Sequence, residues 1–228
     1  MGLKIIQITA SYKPAYIYGG PIQSVGKLCE ALTYLEVLRQ AQDGIAKDDR
    51  MSKKVRLNLE VLTTTANGQT ELDVEVGEPN LVDGVLVNYF KRWTKDHSHF
   101  SPGLLWRLRE VLRHFDKLSA GLAQHDNAGS KTKNEKQKTN NDLIIHIHAW
   151  WNLVSVLSCL IAKWYKVPVV LSPRGMLTSY TQSNRNSFSK KILHLIIGKS
   201  LLKYVHVHAT SDQEKNDDRD EQLVQRRA

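Results

Sequence analysis

Two cysteines in 228 residues are too few for a disulfide framework. Cys29 and Cys159 each fall inside an apolar helical pattern, where a thiol serves as a small hydrophobe in a reducing compartment. Long hydrophobic runs are also missing. The longest, Leu153 to Ala162, is far too short to span a bilayer. The start, Met1-Gly2-Leu3-Lys4, passes directly into a strand pattern and has no signal-peptide h-region. Ile6 stands where myristoylation needs Ser or Thr. The expected location is cytoplasmic, with at most peripheral contact to the inner face of a membrane.

The first βα turn lacks the usual phosphate signatures. No Gly-x-Gly-x-x-Gly follows the first strand, and the loop is too long for that fingerprint. The Gly-Lys-Ser/Thr element of a P-loop is absent there as well. No Ser/His/Asp or Cys/His arrangement has interpretable spacing, which leaves hydrolytic triads unsupported.

What is present is an ordinary globular hydrophobic fraction of 41% and a formal charge of +9 with a pI near 9.5. Such a charge suits anionic ligands, membranes or nucleic acid. Much of it is local, because Lys131, Lys133, Lys136 and Lys138 crowd one polar stretch that reads as a solvated loop. No basic helix or aromatic–basic interleaving appears, so nucleic acid is not an expected partner.

Strand patterns cover Leu3–Ile8, Val55–Thr64, Val85–Trp93, Leu143–His148, Val167–Leu171 and Tyr204–Ala209. Helical spacing begins at Pro21, with Ile22, Val25, Leu28, Cys29, Leu32 and Leu35 on one face. Further helices are expected from Pro102 to about Leu122, over Asn152–Lys166 and over Ser189–Lys203. Asn67-Gly68 and Asp83-Gly84 mark turns. The alternation predicts a three-layer α/β, Rossmann-like domain with a mostly parallel sheet over residues 1–212. Polar insertions are expected near 40–54 and 124–141, and a charged tail over 213–228.

Three segments point to one edge of that sheet, because ligands of open α/β folds collect at the carboxyl ends of strands. Ile144 to Asn152, IIHIHAWWN, is a buried-strand pattern ending in two histidines and two tryptophans, with Asn152 placed to cap a helix. Gly19-Gly20 precedes a helix N-terminus, which favours close approach of an anion. Arg174, in Pro173-Arg174-Gly175, follows another strand and suits phosphate or carboxylate.

His146 and His148 share a face of their strand, with His148 at its end. His148 serves either as a satisfied structural histidine or as a hydrogen-bonding group toward a bound hydroxyl or phosphate. Zinc is a third option, since His206-Val207-His208 repeats the spacing, but no third ligand is well placed and no metal is expected. Trp150 and Trp151 are either core or stacking platforms for a sugar. Asp218-Arg219-Asp220 matches an acidic metal–nucleotide pattern, yet it lies in an unpatterned tail.

Taken in order, these segments resemble the N-terminal domain of family 4 glycosyltransferases with the GT-B fold. The residues that carry the resemblance are Ser11-Tyr12-Lys13-Pro14 with Tyr18-Gly19-Gly20-Pro21, Asp142 through Trp151, Ser172-Pro173-Arg174-Gly175-Met176-Leu177, and His208-Ala209-Thr210-Ser211. It extends over roughly Lys4 to Lys215.

The resemblance implies metal-independent transfer of a sugar, with retention, from a nucleotide-sugar donor to a glycan or lipid-linked acceptor. It implies that Gly19 and Gly20 approach the donor phosphates and that His148 contacts the transferred sugar. Arg174 and Gly175 then line the cleft, although many relatives carry histidine where Arg174 stands. No cofactor is implied beyond the nucleotide sugar as co-substrate, bound mainly by a second domain. These 228 residues end where the family's interdomain linker begins, so the expectation is a chain truncated before its donor-binding domain. Such a half is expected to need a donor-domain chain in trans. The alternative is a non-catalytic sugar-binding subunit that pairs with such a chain.

Overall fold

The computed structural model describes residues 2–45, 56–96, 98–125, 143–150, 152–174 and 199–209. The elements are strand β1 (Gly2–Ile8), a 3-10 turn (Tyr16–Tyr18), helix α1 (Gly20–Ile45), β2 (Arg56–Thr64), β3 (Ala66–Asn67), β4 (Thr70–Glu71), β5 (Pro79–Val82) and β6 (Val85–Phe90). Then come α2 (Pro102–His125), β7 (Leu143–His148), α3 (Leu153–Trp164), β8 (Val169–Ser172), α4 (Lys199–Leu202) and β9 (His206–Val207).

Seven strands form one sheet in the order β5-β6-β2-β1-β7-β8-β9, and β3 pairs with β4 in a separate hairpin. Every pairing in the large sheet is parallel except that of the edge strand β5 with β6. The order reverses at β1, so the connections leaving the paired strands β1 and β7 run to opposite faces and open the crevice of a doubly wound fold at their tips. This is a Rossmann-like α/β domain.

Period-two alternation sorts the two faces. Ile6 and Ile8 of β1, Leu62 of β2, Ile145 and Ile147 of β7, and Leu171 of β8 face α2 and α3 and are fully buried in the main core. Leu104, Leu108 and Leu112 complete that core from α2, and Val154 and Cys159 from α3. The opposite face meets α1, where Val25 and Cys29 pack with Tyr12, Val61, Val87 and Tyr89. Asn152 caps α3 as its position suggested, its side chain accepting a 2.8 Å bond from the Ser155 amide.

Four sequence expectations change. The polar stretch expected to leave the fold at residue 40 is helical through Ile45, since α1 continues. The apolar face of α1 does not run to Leu35, which is 59% exposed, but to Glu36, which is buried. A strict 3.6-residue period carries the stripe from Cys29 to position 36 and turns Leu35 outward. The strand expected through Trp93 stops at Phe90, and an unforeseen antiparallel strand, β5, joins β6 across the Asp83-Gly84 turn. A mildly basic helix face also exists, because Arg107, Arg109, Arg113 and Lys117 are exposed on α2, interspersed with Glu110 and Asp116.

The loop after β1 is pinned from inside. Lys13 crosses α1 at Gly26 and forms ion pairs with Glu30 and with Asp83, the latter at 2.7 Å. Its carbonyl accepts a hydrogen bond from the Tyr89 hydroxyl. Both carboxylates hold the Lys13 ammonium above its ordinary range. The tip is fixed by Tyr18, whose hydroxyl accepts from the Gly68 amide at 2.9 Å in the β3–β4 hairpin. Arg92 clamps that hairpin through Glu71 and the carbonyls of Gly68 and Thr70. Gly19 therefore leaves a braced loop, at a φ of 69° that suits glycine. Among the described residues, no helix is long and apolar enough to cross a membrane.

Candidate functional site

The tips of β7 and β8 and the start of α1 meet through one side chain. Arg174, two residues past the end of β8, places Nε and Nη2 each 3.4 Å from Nδ1 of His148, the last residue of β7. Its Nη1 donates to the Ser24 hydroxyl at 2.5 Å, in the first turns of α1 just after Gly19 and Gly20. On its other side, the His148 ring reaches β1, with Nε2 2.7 Å from Oε1 of Gln7. Gln7, His148, Arg174 and Ser24 thus make a continuous polar line across the crevice.

Sheet register explains the line. Gln7 pairs with Val61 on one side and His146 on the other, and His148 pairs with Ser172. On the α1 face, the apolar row of Val87 and Val61 gives way to Gln7 and His146, before Val170 resumes it. His146 Nε2 lies 2.9 Å from the Ser172 hydroxyl, which is also 3.1 Å from Nδ1 of His208. The His146 and His148 rings are 4.1 Å apart between centroids.

Burial sets the charge state of these rings. It drives the His148 imidazole well below its ordinary 6.5, and His146, Arg174 and His208 reinforce the effect by repulsion. His146 falls to about 4, chiefly by burial and then through His208 and Arg174. The line therefore holds one permanent cation, Arg174, against neutral imidazoles at pH 7.

The backbone is strained where the line reaches the rim. Ala149 has φ 69° and Arg174 φ 54°, left-handed values that cost a non-glycine residue about 1 kcal/mol or more. Ala149 directly follows β7 and Arg174 comes two residues after β8, at strand tips where such outliers tend to accompany binding sites. The Ala149 amide is bonded to the Ser172 carbonyl at 2.9 Å, which ties the two turns together.

Not every expected residue takes its expected place. His148 was expected at the open end of its strand but is only 1% exposed, covered by its partners, while Arg174 is half-buried and faces the rim. Trp150 is also 1% exposed and packs in the main core with Leu104 and Val154. Its ring has no free face, so the sugar-stacking role is corrected to a core role. Trp151, Gly175 and the Asp218–Asp220 pattern lie outside the described residues, as do Lys131–Lys138 and the tail over 213–228. His206 is exposed at the far edge and does not join His146, whereas His208 meets His146 through the Ser172 hydroxyl, their ring centroids 6.3 Å apart. Among the described residues, no group of three or more His, Cys, Asp or Glu side chains is placed to hold a metal.

Gln7 and Ser24 were not singled out from the sequence. Gln7 did leave a signal, as a polar interruption in the otherwise apolar central strand Ile5-Ile6-Gln7-Ile8. Ser24 left none.

No family model matches the chain, and no curated protein does. Among solved structures, it aligns with a Listeria monocytogenes protein assigned as a UDP-N-acetylglucosamine 2-epimerase, at 10% identity and a TM-score of 0.39. That alignment covers 97% of this chain and 42% of the other, so this chain spans less than half the length of its structural neighbour.

Proposed function

We propose that this chain forms the acceptor-side half of a glycosyltransferase cleft of the GT-B type, as its sequence segments suggest for family 4. What supports the reading is one observation: Arg174 joins His148 to the helix start behind Gly19 and Gly20. Described parts of three segments that carried the resemblance thus approach one rim, where a cation is bonded to α1 one helical turn after the glycine pair.

In this reading, the diphosphate of a nucleotide sugar approaches the Gly19-Gly20 turn and draws Arg174 toward it. A guanidinium resting at 3.4 Å on an uncharged imidazole gains by turning to a phosphate, because an ion pair with two parallel N–H···O bonds replaces a long bond to a neutral acceptor. The released Nδ1 of His148 then accepts a hydrogen bond from a hydroxyl of the sugar. Charge stabilisation of the leaving group, the dominant effect in such chemistry, falls largely to a donor-binding domain on another segment or chain. The nucleotide sugar is the co-substrate, the acceptor is a glycan or lipid-linked sugar, and retention of configuration is part of the proposal.

The test is reconstitution. The chain is mixed with candidate donor-binding domains, a panel of nucleotide sugars and glycan acceptors, and sugar transfer is measured against each component alone. Transfer only in the mixture supports the proposal. A second reading, a sugar-binding subunit without catalysis, is favoured by the burial of His148 and the engagement of both its ring nitrogens. Saturable binding of sugar ligands with no transfer by any mixture selects that reading. Neither binding nor transfer removes both.

A further inference from the structure

We infer that Gln7 is a positioning residue that, together with Arg174, holds the His148 imidazole in its Nε2–H tautomer and so keeps the Nδ1 lone pair turned to the rim. The argument is one of donors and acceptors. Arginine carries only donors, and two of its nitrogens, Nε and Nη2, face Nδ1 of His148. Nδ1 must then accept, and in a neutral ring the proton sits on Nε2. That nitrogen lies 2.7 Å from Gln7 Oε1, an oxygen that can only accept. Exchanging the oxygen and nitrogen of the Gln7 amide would set two donors against each other. Arg174 therefore decides the orientation of an amide on a different strand.

Gln7 is otherwise a costly residue for its position. It is fully buried in a central strand, between Val61 and His146, and its amide Nε2 has no hydrogen-bond partner among the described residues. A buried unsatisfied donor is unfavourable. The bond to His148 is the interaction that its oxygen makes in return. A leucine or valine would fill the same interior as Val61 and Val87 do, without an orphan amide, but would leave the Nε2 proton with no acceptor and the ring biased only by the long contacts to Arg174. With the proton on Nδ1, the ring would repel Arg174 and could no longer accept a hydroxyl at the rim.

The assignment of a ligand hydroxyl to Nδ1 rests on the proposed function, whereas the tautomer itself does not. Imidazole nitrogen-15 NMR of the full chain at neutral pH tests it directly. Wild type is expected to show His148 as a single neutral tautomer with the proton on Nε2. Gln7→Met, which keeps a side chain of similar size but removes the acceptor, is expected to give both tautomers. Gln7→Glu restores an acceptor and is expected to restore the Nε2 proton. The added carboxylate should also raise the pH at which the ring charges, against the opposing effects of His146, His208 and Arg174 around it. A wild-type proton on Nδ1 would overturn the inference, and this reading needs no variant to fold. So would a folded Gln7→Met protein that retains the single Nε2 tautomer. Lack of transfer in the reconstituted mixture, with the Nε2 tautomer present, would remove the catalytic reading and leave this assignment standing.

Discussion

The guanidinium of Arg174 straddles Nδ1 of His148, with Nε and Nη2 each at 3.4 Å, although 26 residues separate the two in sequence. A permanent cation rests on a ring whose own protonation is suppressed by burial. The pair makes the site responsive to anions without making it positively charged throughout.

His148→Ala is expected to cost stability as well as function. The ring is 1% exposed and satisfies Gln7 on a neighbouring strand. Its removal leaves a cavity and an orphaned amide oxygen, worth about 2–4 kcal/mol together. Urea unfolding of wild type and variant measures the difference. A loss below about 0.5 kcal/mol would mean that the ring is not packed as described, because exposed substitutions fall in that range.

Acid should destabilise the fold through the same cluster. The folded-state pKa of His146 is depressed from 6.5 to about 4, so the unfolded chain takes up a proton before the native state does. Stability is then full above about pH 6.5 and falls as pH drops toward 4, by roughly 3 kcal/mol for His146 across that window. His148 adds to the slope in the same direction. His146→Gln should remove about one proton from the slope of unfolding free energy against pH. An unchanged slope would contradict the assigned depression.

Arg174→Ala should discriminate between ligands by charge. Bonds from a cation to an anion contribute about 1.5–3 kcal/mol, which corresponds to roughly tenfold to hundredfold in affinity. Calorimetric titration with a nucleoside diphosphate should show that loss, while a neutral disaccharide should change by about twofold or less. Equal losses for both ligands would remove the electrostatic account of the rim.

Gly26→Ala tests the brace beneath the glycine turn. An added Cβ would lie 2.5 Å from Cε of Lys13, forcing the side chain away from Glu30 and Asp83. Disturbing such a buried cation should lower stability by about 1–3 kcal/mol despite the better helix propensity of alanine. Lys13→Met relieves the clash, so Gly26→Ala introduced into that variant should cost much less. A double-mutant cycle with no coupling would show that the two positions act independently.

Much of the strand and helix order was legible because period-two and 3.6-residue patterns are local. The β7 run Leu143–His148 and the Asn152 cap appear where their side-chain types place them. Element ends were less legible. α1 runs to Ile45 because each residue added to an existing helix gains a backbone bond whatever its polarity, and β5 forms because the edge of β6 offers unpaired hydrogen-bonding groups. Trp150 shows the limit for function. Next to a site in sequence, an aromatic residue reads equally as platform or core, and only its contacts with α2 and α3 assign it to the core.

By itself, the sequence determined the alternation of strands and helices, the glycine turn, and the chemical identity of the groups at the strand tips, because these depend on local composition and spacing. The tertiary structure decided which of them meet. Gln7, Ser24, His148 and Arg174 come from four separate stretches, and strand order and register bring them within hydrogen-bonding distance. The charge state of His148 was likewise settled only by the fold, because desolvation depends on what surrounds a ring in space.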